Sequence, residues 1–264
     1  VHRERVQKAY AGQRTALNLG GIDSGGVQRG DVLVNGDHYV VTDTLDVVFH
    51  PLKDIDHGVK QRQTIKLHIG TSEVMGKIVF FDRNDIPTGV TEEILCQLQL
   101  DDPIVTLRGD RYVIRRPSPV ETIGGGWIID PNGKPYRFGR ATIDQLAMKK
   151  EGTAFERIQA VLEQEKVASE IDLIKKAAVD ESEWQEAKNK LLEIERHNYT
   201  LPKLLQASKS NMVETVSSFH SRYPMRVGID KAKLFSELKT SHPESLLDYA
   251  LATLLAENVL KKAG

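Results

Sequence analysis

The sequence predicts β-barrels followed by two winged-helix modules, and three observations support this prediction. Glycine, aspartate and proline interrupt short apolar segments throughout the first 140 residues, as turns interrupt the strands of a barrel. After Gly139 glycine becomes scarce, and apolar residues recur at spacings of three and four, which indicates helices. Three helices followed by an extended segment then occur twice, which is the order of a winged-helix module.

The predicted strands are short, rich in Val, Ile and Leu, and alternate in part between apolar and polar residues. They cover 14–19, 38–48, 63–69, 74–81, 104–107 and 111–115. Turn signals separate them, among them Arg29-Gly30-Asp31, Gly109-Asp110 and Gly124-Gly125-Gly126. We divide this part into a partial barrel at 1–48 and a second barrel at 49–139.

The predicted helices fall into two sets. The first set covers 142–150, 153–165, 169–178 and 180–193 and is followed by an extended piece at 198–201. Ser169 and Asp180 are its candidate N-caps. The second set covers 203–222, 230–240 and 243–257, with a strand beginning at Val259-Leu260. The modules are therefore 140–202 and 203–264, and the second ends before its wing can close.

Composition excludes several classes of protein. Among 264 residues, Cys96 is the only cysteine, which excludes a disulfide framework and fits a reducing cytoplasm. The formal net charge is −1, so charge alone does not predict tight binding to a nucleic-acid backbone. No apolar run approaches the roughly 18 residues of a membrane span, and we expect no membrane partner.

Two motifs suggest catalysis but lack the residues that the chemistry requires. Asp23-Ser24-Gly25-Gly26 matches the sequence around the nucleophile of a serine protease. Such a protease needs most of a barrel, including a histidine base, before the serine, but here the only histidine before Ser24 is His2. Gly133-Lys134 suggests a phosphate loop, but Pro135 stands where a magnesium-binding hydroxyl is needed. The guanine-recognising Asn-Lys-x-Asp motif is also missing after Asn189-Lys190. We therefore predict no catalytic residues and no cofactor in this chain.

The ionisable residues predict no metal site. Eight histidines show no pair at helical metal-ligand spacing. The adjacent carboxylates Glu92-Glu93 and Asp101-Asp102 would face opposite sides of a strand, and a solvated loop is their default interpretation.

The winged-helix prediction raises the question of nucleic acid, because the third helix of such a module usually enters a groove. Here the third helix of the first module, 180–190, is net acidic, and that of the second, 244–257, contains no Lys or Arg. Basic residues gather elsewhere in the second module, where a solvated face and contact with an RNA backbone both remain open. They are Lys203, Lys209, Arg222, Arg226, Lys231, Lys233 and Lys239.

Three stretches carry a resemblance to a known family. Gly12-Gln13-Arg14 with Arg29-Gly30-Asp31 resembles the second domain of the elongation factor Tu superfamily. Leu107-Arg108-Gly109-Asp110 and Thr122-Ile123-Gly124-Gly125-Gly126 through Asp130-Pro131 resemble the third domain of its SelB branch, the selenocysteine-specific elongation factors. Phe219-His220 with 223–229 resembles the second winged-helix module of bacterial SelB.

The resemblance implies a function and a division of labour. SelB proteins deliver selenocysteinyl-tRNA to the ribosome at recoded UGA codons. They use a GTPase domain that binds GTP and Mg²⁺, two barrels, and an arm of winged helices that grips an mRNA hairpin. The chain would correspond to part of domain two, domain three and the first two modules of the arm. The GTPase domain and the hairpin-binding modules would lie outside it, and we expect a cytoplasmic monomer that is not itself an enzyme.

One family site residue is implied within this chain. An arginine of the Gly-x-Arg strand is thought to face the aminoacyl end of the tRNA, and it corresponds to Arg14. A fixed guanidinium would favour the anionic selenolate over the neutral hydroxyl of serine. The competing interpretation is that Arg14 is a residue of the barrel surface.

Two other functions compete with this interpretation. A free-standing winged-helix nucleic-acid-binding regulator with a β effector domain is disfavoured by the acidic third helices. A small hydrolase rests on Asp23-Ser24 alone. The glycine motifs at both predicted barrel ends favour the translation factor.

Overall fold

A closed six-stranded β-barrel forms the first folded unit of the computed structural model, which describes residues 8–10, 12–22, 25–36 and 39–262. Its strands are β1 (Val41–Pro51), β3 (Thr64–Ile69), β4 (Ser72–Phe80), β6 (Ile94–Val105), β7 (Arg111–Pro117) and β8 (Val120–Asp130). They follow the order β1-β6-β4-β3-β7-β8, and β8 pairs back with β1. Two short strands, β2 (Val59–Lys60) and β5 (Asp85–Ile86), pair outside the barrel.

Alternation along the strands fills the barrel interior. In β3, Ile65, Leu67 and Ile69 are buried while the residues between them are partly exposed. The interior also takes large side chains from the other strands, including Phe49 and Phe80. Burying each such side chain contributes roughly 1.5–3 kcal/mol, so the barrel has a substantial core of its own.

The predicted strands include only the end of β6, at 104–107, and no part of β8, because neither strand shows simple alternation. In β6 the pairing jumps from Thr42 opposite Ile104 to Thr44 opposite Gln99, so extra residues of β6 bulge outward. Asp101 and Asp102 lie in this bulge and are exposed. Strand β8 contains three consecutive glycines. Their composition predicts a turn, but in the structure they lie within the strand.

The segment before the barrel differs from its prediction. Residues 14–19 are predicted to be a strand, but they form no strand in the structure and are mostly exposed. The predicted boundary at residue 48 is also crossed by β1, whose hydrogen bonds to β6 and β8 place 41–51 in the closed barrel. The assignment of the preceding residues to a partial barrel remains a prediction.

Helix α1 (Arg140–Glu151) packs on the barrel and not within a winged-helix module. Leu146 is buried against Val79 and Phe81, with Ile143 and Tyr136 beside them. The module predicted to begin at residue 140 therefore begins structurally at α2, because the apolar face of α1 is complementary to the barrel.

The first winged-helix module consists of α2 (Ala154–Glu165), β9 (Ala168–Ser169), α3 (Glu170–Ala177), α4 (Glu181–Lys188), β10 (Leu192–Glu195) and β11 (Asn198–Thr200). Ser169 and Asp180 accept hydrogen bonds from Asp172 N and Glu183 N, so both predicted N-caps are confirmed. Helix α4 ends five residues earlier than predicted, because residues 192–195 enter the three-stranded sheet β10-β11-β9.

The second module contains α5 (Pro202–Arg222), α6 (Lys231–Leu238) and α7 (Glu244–Ala256) around a core that includes Met212, Phe235 and Leu247. The strand predicted at Val259-Leu260 does not form in the described residues. Instead Asn258 adopts a left-handed conformation (φ 59°), and Val259 N and Leu260 N donate to Leu254 O. These bonds terminate α7 and redirect the chain.

Candidate functional site

Arg14 lies just after a tight turn in the segment that precedes the barrel. Gln13 N donates to Tyr10 O over 3.1 Å, and Gly12 has a φ of 85°, a conformation that glycine adopts without strain. Arg14 itself is exposed, and among the described residues it has no hydrogen bond or ion pair within the chain. The Gly-x-Arg motif therefore forms a turn that presents a free guanidinium to the outside.

The two Arg-Gly-Asp sequences form the same turn. Asp31 N donates to Gln28 O, and Gln28 N donates back to Asp31 Oδ2 over 2.7 Å. Asp110 N and Leu107 N form the equivalent pair of bonds, the latter to Asp110 Oδ2 over 2.8 Å. The glycine has a positive φ in each case, 106° and 86°. The aspartate thus closes the turn while the arginine is left free for other contacts.

The first of these turns attaches the preceding segment to the barrel. Ser72 Oγ, in the β3–β4 hairpin, donates to Gly30 O over 2.8 Å, while Arg29 approaches Glu73 at 3.9 Å with a side chain that is 83% exposed. This contact places the Arg29-Gly30-Asp31 turn on the side of the barrel where β3 turns into β4.

The second turn connects the barrel with the arm of helices. Arg108 donates to Ile129 O over 2.6 Å and to Lys150 O at the end of α1 over 2.8 Å, and its guanidinium lies 5.6 Å from the ring centre of Trp127. Burial lowers the pKa of Arg108 to about 10, and the nearby Arg157 adds to this effect. Farther along, Asn132 Nδ2 donates to Lys175 O of the first module over 2.6 Å.

A buried polar cluster, which we call the junction cluster, joins α1 to the barrel. Lys149 Nζ donates to Asp46 Oδ2 (2.9 Å), Asp130 Oδ2 (2.6 Å) and Tyr136 OH (2.7 Å). Gln97 Nε2 donates to Asp46 Oδ1 over 2.9 Å. The Asp46 carboxylate is fully buried, so these donors compensate for a charge that would otherwise be very costly.

Burial and charge act in opposite directions in the junction cluster. Burial raises the pKa of Asp46 in spite of the adjacent Lys149 ammonium. Burial lowers the pKa of Lys149, but the charges of Asp130 and Asp46 outweigh it and bring that pKa above its ordinary value. Burial, together with the charge of Asp46, raises the pKa of Tyr136 to about 12. Lys149 is therefore a stable cation at neutral pH.

Sequence reasoning missed the junction cluster, although one signal was present. Asp46 interrupts the apolar run Leu45–Phe49 in the middle of a strand. A carboxylate at such a position requires a buried partner, but its partner lies 103 positions away on α1. Local patterns cannot identify a partner at that separation.

The three glycines of β8 have a structural explanation. A Cβ atom on Gly126 would lie 1.8 Å from Val48 O, and one on Gly125 would lie 2.5 Å from Tyr112 O. Tyr112 OH also donates to Val48 O over 2.8 Å. Because β8 pairs with both β1 and β7, this motif is where the barrel closes.

Of the two motifs that suggest catalysis, one lies outside the described residues, because Asp23 and Ser24 are not described. In the other, Gly133 packs against Thr44 of β1, and its N–H donates to Thr44 O over 3.1 Å. Within the part of the chain that the structure describes, no group of three or more His, Cys, Asp or Glu side chains could hold a metal. No described helix is long and apolar enough to cross a membrane.

The third helix of the first module is acidic and committed to internal contacts. Arg157 Nη2 donates to both oxygens of Glu183 on α4, at 3.0 and 2.9 Å. Trp184 Nε1 donates to Glu170 Oε1 over 2.9 Å. The only basic residue within α4 is Lys188, which lies 3.5 Å from Glu170. This helix has no surface suited to a phosphate backbone.

Two parts of the chain match known protein-domain families. Residues 46–135 match the β-barrel domain of the selenocysteine-specific elongation factor, and residues 213–264 match the winged helix of elongation factor SelB. The first range covers nearly all of the closed barrel, and the second runs from the middle of α5 through α6 and α7.

Curated relatives extend the similarity to almost the whole chain. It is 26% identical over 272 residues to a selenocysteine-specific elongation factor of Desulfomicrobium baculatum, covering 99% of this chain and 42% of that protein. It is 21% identical over 282 residues to the protein of the same description from Haemophilus influenzae, again covering 99% and 42%. The chain thus spans 42% of the length of these relatives.

A solved structure shares the fold. The crystal structure of the bacterial selenocysteine-specific elongation factor EF-Sec aligns with a TM-score of 0.53 at 20% identity, covering 92% of this chain and 36% of that one. This alignment supports the arrangement of a barrel followed by winged helices.

Proposed function

The chain belongs to the SelB family of elongation factors, and on that premise we propose that it takes part in delivering selenocysteinyl-tRNA to the ribosome at recoded UGA codons. In this proposal the barrel and its preceding segment face the tRNA, and the two winged-helix modules act as the spacer part of the arm.

The observation that carries the proposal is the firm attachment of the arm to the closed barrel. The junction cluster, Arg108 and Asn132 all connect the barrel with α1 or with the first module. A spacer must hold a distant hairpin-binding module at a fixed position relative to the barrel, and the partly buried hydrogen bonds of the junction provide the required stiffness.

The remaining parts of the proposed activity belong to regions outside this chain. A GTPase domain would bind GTP and Mg²⁺, and further winged-helix modules would bind the selenoprotein mRNA hairpin. We further propose that the chain acts as a monomer in the cytoplasm, where the ribosome is its partner.

Arg14 is the residue that we propose for discrimination of the aminoacyl group. Its guanidinium is exposed and unpaired in the described part of the chain, so it is available to an anionic selenolate. Because the selenolate is charged and the seryl hydroxyl is neutral, a nearby cation favours the selenocysteinyl form. A domain that forms the second wall of the pocket would strengthen this preference by excluding water.

Binding of the chain to selenocysteinyl-tRNA and to the same tRNA carrying serine tests this proposal, with and without a separately produced SelB-type GTPase domain. We expect a preference for the selenocysteinyl form when the GTPase domain is present, and we expect Arg14→Ala to reduce that preference about tenfold, the equivalent of one lost charge-assisted hydrogen bond.

Arg29→Ala is the matched control, because Arg29 is an exposed arginine of the same segment that approaches Glu73. The Arg29→Ala variant should prefer selenocysteinyl-tRNA over seryl-tRNA as strongly as the unaltered chain does. If the unaltered chain and Arg14→Ala discriminate equally, the role proposed for Arg14 is wrong.

The regulator alternative receives no support from the described residues. Helix α4 is acidic, and helix α7 carries Glu244 and Asp248 without Lys or Arg. A module that reads a groove through its third helix needs the opposite charge.

A further inference from the structure

The basic residues of the second module divide into two groups. Four of them form ion pairs: Lys203 with Glu163, Lys209 with Glu257 (2.6 Å), Lys231 with Asp248 (2.5 Å) and Lys239 with Glu244 (3.8 Å). The other five lysines and arginines form no ion pair within 4 Å in the described part of the chain, and two of these, Lys261 and Lys262, follow α7. The remaining three are Arg222, Arg226 and Lys233, and all three lie around the connection between α5 and α6.

An aromatic pair brings two of these cations together. Phe219 and Tyr223 lie one helical turn apart, with ring centres separated by 5.1 Å. Lys233 Nζ lies 5.1 Å from the Phe219 ring centre and 5.5 Å from that of Tyr223, and the Arg226 guanidinium lies 5.8 Å from Tyr223. Cation–π contacts hold the cations in place without neutralising them.

The surroundings leave these cations available to a partner. Glu214 and Glu237 line the same cavity of about 230 Å³ as Arg222 and Lys233, but neither lies within 4 Å of a cationic nitrogen. Phe219 is buried and anchors the cluster, whereas Tyr223 is 41% exposed. The following residues 224–228 are all exposed, including Met225 and Val227. The partly exposed ring of Tyr223 therefore lies at the surface beside two cations, Arg226 and Lys233, that form no ion pair in the described part of the chain.

We propose that Arg222, Tyr223, Arg226 and Lys233 form a binding surface for single-stranded RNA. The cations would contact phosphates, and an unpaired base would stack on Tyr223 beside the apolar tips of Met225 and Val227. The choice of RNA rests on the proposed function in translation. The surface lies on the α5–α6 connection and not on the acidic third helix through which a winged helix usually binds nucleic acid.

An acidic protein segment would use the cations but not the aromatic ring as a stacking platform. The ring is the reason to favour RNA, because a base offers a flat face to Tyr223 and a carboxylate does not. Duplex RNA carries the same phosphates but hides its bases in the stack, so it should also bind more weakly than a single strand.

Fluorescence anisotropy with a labelled 12-residue uridine RNA tests the proposal. Three phosphate contacts predict that affinity falls about 20-fold between 50 and 200 mM salt, and that the triple variant Arg222→Gln/Arg226→Gln/Lys233→Gln loses most of that salt dependence. Tyr223→Leu should weaken binding about tenfold, the effect of losing one stacked base. Circular dichroism of each variant establishes that the module remains folded.

Lys231→Gln/Lys239→Gln is the matched control, because it removes two cations of the same region that are already paired with carboxylates. It should bind within about twofold of the unaltered chain. The proposal is overturned if the triple variant binds the RNA as the control does, if duplex RNA binds as well as the single strand, or if a polyglutamate peptide competes with equal affinity. The measurement does not involve Arg14, so its failure is separable from failure of the proposed tRNA discrimination.

Discussion

Lys149 connects three oxygen atoms from parts of the chain that are far apart in sequence. Its ammonium contacts Asp46 on β1, Asp130 at the end of β8 and Tyr136 in the connection to α1. The cluster sets one ammonium against two carboxylates, and Gln97 and Tyr136 donate further hydrogen bonds to Asp46. Removing one member leaves the others buried without compensation.

We predict that Lys149→Met destabilises the barrel–arm junction by about 3–5 kcal/mol, because it leaves the fully buried Asp46 carboxylate without its cation. Urea unfolding followed by tryptophan fluorescence measures the change. Since the ammonium holds the pKa of Asp46 down, that pKa should rise further in the variant. The difference in free energy of unfolding between the variant and the unaltered chain should then become smaller as the pH falls through the raised pKa of Asp46, because protonation of Asp46 removes the unpaired charge.

Lys150→Met serves as the control. Lys150 pairs with Glu93, whose side chain is about one-third exposed, so the loss should stay below about 1 kcal/mol. Equal losses in the two variants would show that the junction cluster has no special role. The double variant Asp46→Asn/Lys149→Met should recover part of the stability.

His242 is the second buried ionisable side chain with an unusual environment. Its Nε2 lies 2.9 Å from Asn211 Nδ2 on α5, and its Nδ1 is buried without a hydrogen-bond partner. Burial lowers the pKa of His242 below 6.5, and the nearby charge of Lys166 acts in the same direction. Burial thus favours the neutral form of the imidazole in the folded state.

We predict that the second module loses stability in mild acid. A lowered folded-state pKa means that the contribution of His242 is complete above pH about 6.5 and is lost as the pH falls through the lower pKa of the folded state. Thermal unfolding between pH 7.5 and 5 measures the loss. The unfolding temperature of His242→Gln should fall less over this pH range than that of the unaltered chain. If it falls by the same amount, other groups are responsible for the acid sensitivity.

Strand β8 shows how one element can determine whether the barrel closes. It pairs with β7 on one side and β1 on the other, and its glycines lie where both neighbours approach closely. A side chain at Gly126 would overlap the backbone of β1. The glycine run is therefore required by strand spacing, and no ligand is needed to explain it.

We predict that Gly126→Ala destabilises the barrel by about 2–4 kcal/mol, because the new Cβ would lie 1.8 Å from Val48 O and the strands must separate to accept it. Chemical denaturation measures the effect. Gly228→Ala is the control, since a Cβ there meets no atom within 4 Å, and it should change stability by less than about 0.5 kcal/mol. A barrel that tolerated Gly126→Ala as well as the control would contradict this account of β8.

At the scale of the whole molecule, the chain consists of a closed barrel, an arm fixed to it, and a preceding segment that contributes few hydrogen bonds. Described residues between 12 and 36 are mostly exposed and are held by turns and by the contact of Gly30 with Ser72. Strands β3, β4, β6 and β7 belong to the closed ladder of the barrel. These two parts should differ in local stability.

We predict that backbone amides in 12–22 and 25–36 exchange with solvent faster than those in 64–69 and 111–117. The first group lacks ladder hydrogen bonds, while β3 and β7 pair with each other inside the barrel. Hydrogen exchange followed by mass spectrometry gives both rates in one experiment. Equal protection in the two groups would show that the preceding segment is paired and part of a stable fold.

The sequence by itself determined the class of the barrel and of the helical arm and most of the helices, because hydrophobic period, caps and turn residues are local properties. Thr153, Ser169 and Asp180 cap their helices through atoms only three residues away. The Arg-Gly-Asp turns are equally local. The family resemblance also came from local motifs.

Only the tertiary structure decided how these parts fit together. It moved 41–51 into the closed barrel, placed α1 on the barrel surface, and replaced the strand at Val259 with a helix terminus. It also assembled the junction cluster and separated paired from unpaired cations in the second module. Each of these outcomes depends on contacts between residues far apart in the chain, which local periodicity does not encode.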